Sequence, residues 1–264
     1  MKEHSIFNIQ HSTPKAADAV HSLDVRRSTL NVECSPTAPK WLLLNSGKCD
    51  AAFNMALDAA LLEAMPRLQK PVLRFYGWTE PAATFGYFQK FSDVEQATPL
   101  RPLIRRPTGG GIVPHDTDWT YSAIFPPGHE WHSLKAEESY RRIHDWLRRA
   151  FAELNIETEL APGCQKSLPG HCFAGHEKFD LLWHGRKIAG AAQRRNKSGL
   201  LIQGSTQPPP VPLARAGWEM AMAEAARKNF QVEWAHFTPD QELQQHAEKL
   251  RAEKFSQAGH NQQR

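Results

Sequence analysis

The run Arg105-Arg106-Pro107-Thr108-Gly109-Gly110-Gly111-Ile112-Val113-Pro114-His115-Asp116 concentrates more chemistry than any other stretch of this chain. Three consecutive glycines remove every Cβ from a short loop, so its backbone can take positive φ and lie flat against a ligand. The arginines before it suit a carboxylate, a phosphate or a phosphopantetheine head group, and the bare N–H groups add short-range donors. The spacing is not Gly-x-Gly-x-x-Gly, and no Gly-Lys-Ser/Thr follows, which sets dinucleotide and Walker-loop chemistry aside. A flexible hairpin turn is the competing reading of the glycines taken alone.

Four further groups could react. Lys187 follows the pair His184-Gly185, a two-residue turn signal, so its amine sits on a strand where it can polarise a carbonyl or stabilise an oxyanion. An exposed strand lysine is the alternative. Cys172, in the loop ahead of that hairpin, can attack a thioester and hold an acyl group, with Lys187, His171 or His176 as cations able to lower its pKa. A partly buried, inert thiol is the other possibility. His115 and Asp116 could orient a substrate, with His115 a proton carrier or merely a structural histidine. Asp180 alternates with apolar neighbours, as an ordinary surface carboxylate of a hairpin would. Cys164, His171, Cys172 and His176 could ligate zinc, but Cys-x6-His-Cys-x3-His fits no common motif and His171-Cys172 closes a tetrahedron poorly, so no metal is expected.

These residues need elements to position them. Trp41 to Asn45 is an apolar run suited to a buried strand, and Asp50 is placed to cap a helix that Pro66 should stop at Met65. Val72 to Tyr76, Ala83 to Tyr87, Leu103 to Arg106 and Thr120 to Phe125 read as strands around the glycine loop. Ser133 could cap a long helix with Tyr140, Ile143, Leu147, Phe151 and Leu154 on one stripe. Phe179 to Trp183 and Arg186 to Ala192 form the hairpin, and Gly199 to Ser205 a further strand. Pro208 to Pro212 makes a stiff connector. Two helices follow, from about Gly217 to Phe230 and from Thr238, which opens a capping pattern. Residues 1–40 read as an irregular leader with one short strand near Ser5 to Ile9.

The 264 residues are 41% hydrophobic and 23% charged, the balance of an ordinary globular chain. No apolar run reaches membrane-spanning length, and the first residues lack the apolar core of a secretory signal. Four cysteines without a Cys-x-x-Cys pair fit reduced thiols and a cytoplasmic location. A net charge of +4 does not call for nucleic acid, although the arginines at 101, 105, 106, 141, 142, 148, 149, 194 and 195 could form a basic face for an acidic protein. A solvated surface explains the 141–149 group equally well.

Taken together, Arg105 to Val113 with His115 and Asp118 to Ser122 closely resembles the signature of the lipoate-protein ligase and octanoyltransferase family. Asn54 to Asp58, Leu73 to Trp78 and Gly86 to Gln89 are similar to its opening helix and strands. Gly185 to Arg195, with Gln203-Gly204-Ser205, looks like its lysine-bearing hairpin. The resemblance spans roughly residues 41–207 in the family's order. It implies an α/β (α+β) fold of the biotin and lipoyl ligase type, related to class II synthetases, with a mixed, largely antiparallel sheet flanked by helices. Residues 41–207 would be the catalytic domain, and residues 208–264 a connector and helices packing on it.

The resemblance also implies that Lys187 contacts the acyl carbonyl, and that Cys172 matches the members passing through an acyl-enzyme. It places Asp180 where the family's ligases bind nucleotide or magnesium. Lys187 and Cys172 are thus the expected catalytic pair. Arg105, Arg106, Thr108, Gly109, Gly110, Gly111, His115, Asp180, Gly190 and Ala191 are the expected substrate contacts. The expected activity is transfer of an octanoyl or lipoyl group to the lysine of a lipoyl domain or a glycine cleavage H-type protein. An acyl carrier protein would be the donor, and no cofactor would be needed. ATP-dependent lipoate ligation through lipoyl-AMP, with ATP and magnesium, is the alternative. A non-catalytic module that docks lipoyl or acyl-carrier domains is the third.

Overall fold

The computed structural model describes residues 38–165 and 175–263. The expected leader strand, His171 and Cys172 lie outside the described residues. In chain order the strands are β1 (Lys40–Cys49), β2 (Val72–Trp78), β3 (Ala82–Phe85), β4 (Leu103–Arg105), β5 (Val113–His115), β6 (Trp119–Phe125), β7 (Glu159–Leu160), β8 (Leu181–Trp183), β9 (Arg186–Asn196), β10 (Gly199–Thr206) and β11 (Glu233–His236). The helices are α1 (Ala51–Leu68), α2 (Phe91–Ala97), α3 (Glu130–Ser133), α4 (Ala136–Glu153), α5 (Arg215–Phe230), α6 (Gln241–Leu250) and α7 (Ala258–Asn261), with a π-helical turn at Arg251–Phe255.

Among the described residues, eight strands form one sheet in the order β11-β1-β2-β6-β10-β9-β8-β7, and β4-β3-β5 form a second, small one. β1 pairs in parallel with β2 and β11, and the other neighbours of the large sheet are antiparallel. This is the mixed, largely antiparallel α/β sheet flanked by helices that the motifs implied. No described helix is long and apolar enough to cross a membrane.

The two-residue period of the strands sorts the large sheet into two faces. Leu73 and Phe75 of β2, Tyr121, Ala123 and Phe125 of β6, and Leu200 and Ile202 of β10 pack with α4 and α5 around Trp146 and Trp218. Their neighbours Val72, Ile124 and Leu201 face the other way, against Leu57 and Leu61 of α1 and Leu243 of α6. Further along, that second face turns polar. Asp58, fully buried on α1, accepts from Arg74 Nη1 at 2.6 Å, Ser122 Oγ at 2.6 Å, Gln203 Nε2 at 2.7 Å and Tyr76 Oη at 3.1 Å. The cavity described below opens beside this cluster.

Three expected helix boundaries move. Asp50 caps α1 by accepting from Phe53 N at 2.8 Å, but Pro66 lies inside the helix. A proline in the last turn removes only its own N–H, and Gln69, left-handed at φ 53°, closes the helix by donating to Met65 O. Ser133 ends α3, because Leu134 and Lys135 are extended and α4 starts after them. The last helices begin at Asp240, which accepts from Leu243 N at 2.9 Å, so Asp240 is the cap and Thr238 is not.

Asp58→Ala would strand the Arg74 guanidinium in the interior with its main countercharge gone. Loss of one partner of a buried pair costs about 3–5 kcal/mol, so denaturant unfolding of this variant should show a deficit of that size; one below about 1 kcal/mol would contradict it.

Candidate active site

An open cavity of about 400 Å³ lies between the glycine loop and β9. Gly110, Gly111, Ile112 and Val113 form one wall, and Lys187 with Gly190, Ala191 and Ala192 forms the facing wall. Met55, Tyr76, Gln203, Tyr140 and His176 also line it, with a polar group made of Thr84, His115, Thr120 and Ser205.

Lys187 reaches its place through local backbone chemistry. His184 and Gly185 both have positive φ, 47° and 72°, as the tight primed hairpin turn requires. Leu182 then pairs with Lys187 but Leu181 with Ala189, so β9 carries one extra residue at this point. In a regular strand residues 187 and 190 would point to opposite faces; the bulge changes that parity. Lys187 consequently lies across Gly190, where a Cβ would sit 2.8 Å from its Cε and 2.9 Å from its Nζ. Its Nζ meets Asp180 Oδ2 at 2.7 Å, with 14% of the side chain exposed.

Asp180 is not a surface carboxylate and does not alternate along a strand. Phe179 has a left-handed φ of 73°, β8 starts only at Leu181, and Asp180 is completely buried in the turn before it. Besides Lys187 it accepts from Tyr140 Oη at 2.5 Å and Glu177 N at 2.7 Å. Burial, then the adjacent Asp180 charge, holds the Tyr140 phenol well above its ordinary pKa, so it serves as a donor. His144 lies behind this group, its Nε2 4.0 Å from Asp180 Oδ1, and burial pushes its pKa down to about 4.

The glycine loop is pinned rather than flexible. Gly86 lies so close beneath it that a Cβ there would sit 1.9 Å from Gly110 O. Gly110 has a φ of 88°, and Arg106 donates to Gly109 O through Nε at 3.1 Å and Nη2 at 2.5 Å. Thr108 is buried and donates its hydroxyl to Gln203 Oε1 at 2.7 Å. Arg105 lies behind the loop and away from the cavity wall. Its guanidinium donates to the carbonyls of Tyr87, Gln89, His260 and Asn261.

In the polar group, His115 stacks on Trp78 with ring centroids 3.8 Å apart. Its Nδ1 meets Asp118 Oδ2 at 2.9 Å and its Nε2 meets Thr84 Oγ1 at 2.8 Å. Asp116, read beside His115 as a substrate-orienting group, is exposed and accepts from its own neighbour Thr117 N. The buried carboxylate here is Asp118, which also accepts from Thr120 and Ser205. Sequence reasoning gave no role to Thr84, Asp118, Tyr140 or Gln203. Asp118 and Gln203 lay inside the motifs, whereas Tyr140 was hidden in an apolar helix stripe.

The expected basic face is largely paired off. Arg141 and Arg142 meet Glu138, Arg148 and Arg149 meet Asp145, and Arg195 donates to Trp131 O, His132 O and Ser139 Oγ. The zinc reading needs His171 and Cys172, outside the described residues; among the described ones no cluster of three His, Cys, Asp or Glu could hold a metal.

His144 makes the fold sensitive to acid. In the unfolded chain it binds a proton near its ordinary 6.5, but in the folded chain only near 4, so protons favour unfolding across that window. Stability should fall as pH drops from about 6.5 to 4, by on the order of 3 kcal/mol from this residue. In denaturant titrations at several pH values, His144→Gln should flatten that slope; an unchanged slope would contradict it.

Residues 50–207 match the model of the lipoyl protein ligase A/B catalytic domain. The octanoyltransferase LipM of Geobacillus kaustophilus is 36% identical over 181 residues, which cover 62% of this chain and 64% of that protein. That of Carboxydothermus hydrogenoformans is 39% identical over 171 residues, with the same two shares. The chain thus matches just under two thirds of the length of these relatives. Among solved structures, lipoate-protein ligase A bound with ATP has a TM-score of 0.70 at 20% identity, over 85% of this chain and 98% of that one. A bi-partite lipoate protein ligase of Thermoplasma acidophilum has a TM-score of 0.66 at 17% identity, over 85% and 96%. Likeness at such identity is one of fold. The family match, by contrast, covers more than half of the chain and takes in both walls of the cavity, and on it the chain belongs to the lipoyl protein ligase A/B catalytic-domain family.

Proposed function

We propose that the chain transfers an octanoyl or lipoyl group to the lysine of a lipoyl domain or a glycine cleavage H-type protein, by way of an acyl-enzyme on Cys172. The observation that carries this is Lys187, nearly buried and paired with Asp180, in the lining of a cavity that also includes Gly110 and Gly111 of the glycine loop. Such a group is pre-aimed at an acyl carbonyl and needs no reorganisation as charge develops on the oxygen. Apolar lining from Met55, Ile112, Val113, Ala191 and Ala192 suits a short acyl chain. The names of the relatives, octanoyltransferases, support the transferase reading, in which an acyl carrier protein is the donor and no cofactor takes part.

ATP-dependent ligation is the second reading, favoured by the likeness to a ligase bound with ATP. The site argues against it at one point. Asp180 Oδ1 already accepts from Tyr140, and Oδ2 from Lys187 and Glu177 N, which makes this carboxylate a poor magnesium ligand.

Lys187→Ala should lower acyl transfer by on the order of a hundredfold or more, the scale of a lost oxyanion donor, measured well below the variant's own melting temperature, since buried Asp180 loses its cationic partner and the fold is destabilised as well. Near-normal turnover would remove Lys187 from the chemistry. Cys172→Ser separates the two readings. After mixing with octanoyl-acyl carrier protein, the parent should gain one octanoyl mass on the intact chain and the serine variant should not. A serine variant that modifies a lipoyl domain at the parent's rate, only with lipoate, ATP and magnesium, would place the chain among the ligases.

A further inference from the structure

We propose that Thr84, His115 and Asp118 form a proton relay for the amine that takes up the acyl group. The inference deepens the acyl-transfer reading and rests on it.

The donors and acceptors of this group fix one another. Asp118 is buried, and its Oδ2 accepts from Thr120 Oγ1 at 2.9 Å, from Ser205 Oγ at 2.7 Å and from His115 at 2.9 Å. Trp78 donates its indole N–H to Thr120 at 2.8 Å while its ring lies flat on the imidazole. A carboxylate can only accept, so the neutral imidazole keeps its proton on Nδ1 and presents Nε2 as an acceptor. Thr84 must then donate its hydroxyl proton to Nε2, at 2.8 Å. Its oxygen has two acceptor positions left. Arg106 Nη1 approaches one of them at 3.5 Å, the limit of a hydrogen bond, and the cavity adjoins the residue. A hydroxyl whose proton is drawn toward a carboxylate-backed imidazole, and whose oxygen can still accept, is suited to receive an N–H.

The relay shares the cavity with Lys187. Ser205, bonded to Asp118, pairs across β9 and β10 with Gly190, the residue that Lys187 crosses. The acyl carbonyl held by Lys187 is therefore near the relay. When the amine nitrogen of the acceptor bonds to the acyl carbon, the carbon–sulfur bond breaks and its electron pair leaves on sulfur. The acceptor lysine arrives as an ammonium, and its extra proton passes to Thr84 Oγ1 as the Thr84 proton moves to His115 Nε2, which frees the lone pair for that bond; the second N–H proton leaves to solvent once the bond has formed. The imidazolium, countered by Asp118, then releases its proton to solvent, and the departing thiolate is protonated from solvent in turn. Thr84 is the catalytic residue here, His115 acts through it, and Asp118 is a positioning residue. Among the described residues, the charged groups facing this chain of bonds are Asp118 on one side and Arg106 on the other.

The test uses the full chain, first loaded with octanoyl from octanoyl-acyl carrier protein and then offered either a lipoyl-domain lysine or hydroxylamine, which is already unprotonated at neutral pH. Thr84→Val keeps the shape of the side chain and removes the hydroxyl. It should slow transfer to the lysine by on the order of a hundredfold at neutral pH, the usual weight of acid–base catalysis. Transfer to hydroxylamine should change only a few-fold, and the deficit toward lysine should narrow as pH rises toward the range where lysine loses its own proton. Thr84→Ser should restore the lysine reaction. Asp118→Asn, which disturbs the tautomer, should reproduce the same selective loss and supplies the test should Thr84→Val fold poorly. Equal losses toward both nucleophiles, a deficit indifferent to pH, or full activity would overturn the relay while leaving acyl transfer intact. A parent chain that never gains the octanoyl mass would overturn acyl transfer and the relay with it.

Discussion

A carboxylate sealed under a sheet obliges its neighbours to be donors, and Asp58 imposes that condition on much of this molecule. Its partners come from β2, β6 and β10, so one side chain on α1 ties the helix to three strands at once. Gln203 passes the constraint on: its amide nitrogen is held by Asp58, which leaves Oε1 to receive Thr108, the residue directly before the three glycines. The glycine loop is therefore indexed to the protein interior rather than to its own sequence. A loop of three glycines carries a large conformational entropy when unrestrained, and such indexing turns it into a fixed wall.

The same logic governs two carboxylates beside the cavity. Asp180 and Asp118 are both withdrawn from solvent, yet one meets the amine of Lys187 and the other a ring nitrogen of His115. Burial strengthens each interaction because little water competes. The cavity lining combines these polar groups with Met55, Ile112, Val113, Ala191 and Ala192, which offer an acyl chain apolar surface.

Much of this was legible in the sequence, for reasons that are local. His184-Gly185 announces a primed turn because few residues tolerate positive φ, and Asp50 announces a helix start because its side chain satisfies an orphan N–H. The three glycines and Lys187 stand out by type. What stayed hidden depends on tertiary placement. One extra residue in β9 decides which way Lys187 points, and no composition rule marks a bulge of this kind. Arg105 and Arg106 are adjacent and chemically identical, but strand geometry sends one into the interior and the other to the cavity. Tyr140 matches the apolar period of α4 and so reads as core, although its hydroxyl ends on Asp180. Pro66 shows the converse: a strong local stop signal lost because only the final turn of α1 had to absorb it.

Arg105 has a thermodynamic implication of its own. Its guanidinium joins the carbonyls of Tyr87 and Gln89, which flank the loop beneath the glycines, to those of His260 and Asn261 in α7, more than 150 residues away along the chain. Asn261 reciprocates by accepting from the Arg105 backbone N–H at 2.9 Å. Two segments that share one cation in this way have linked order: ordering one favours ordering the other, and the coupling is the same in both directions. The end of the described chain thus belongs energetically to the cavity it never touches.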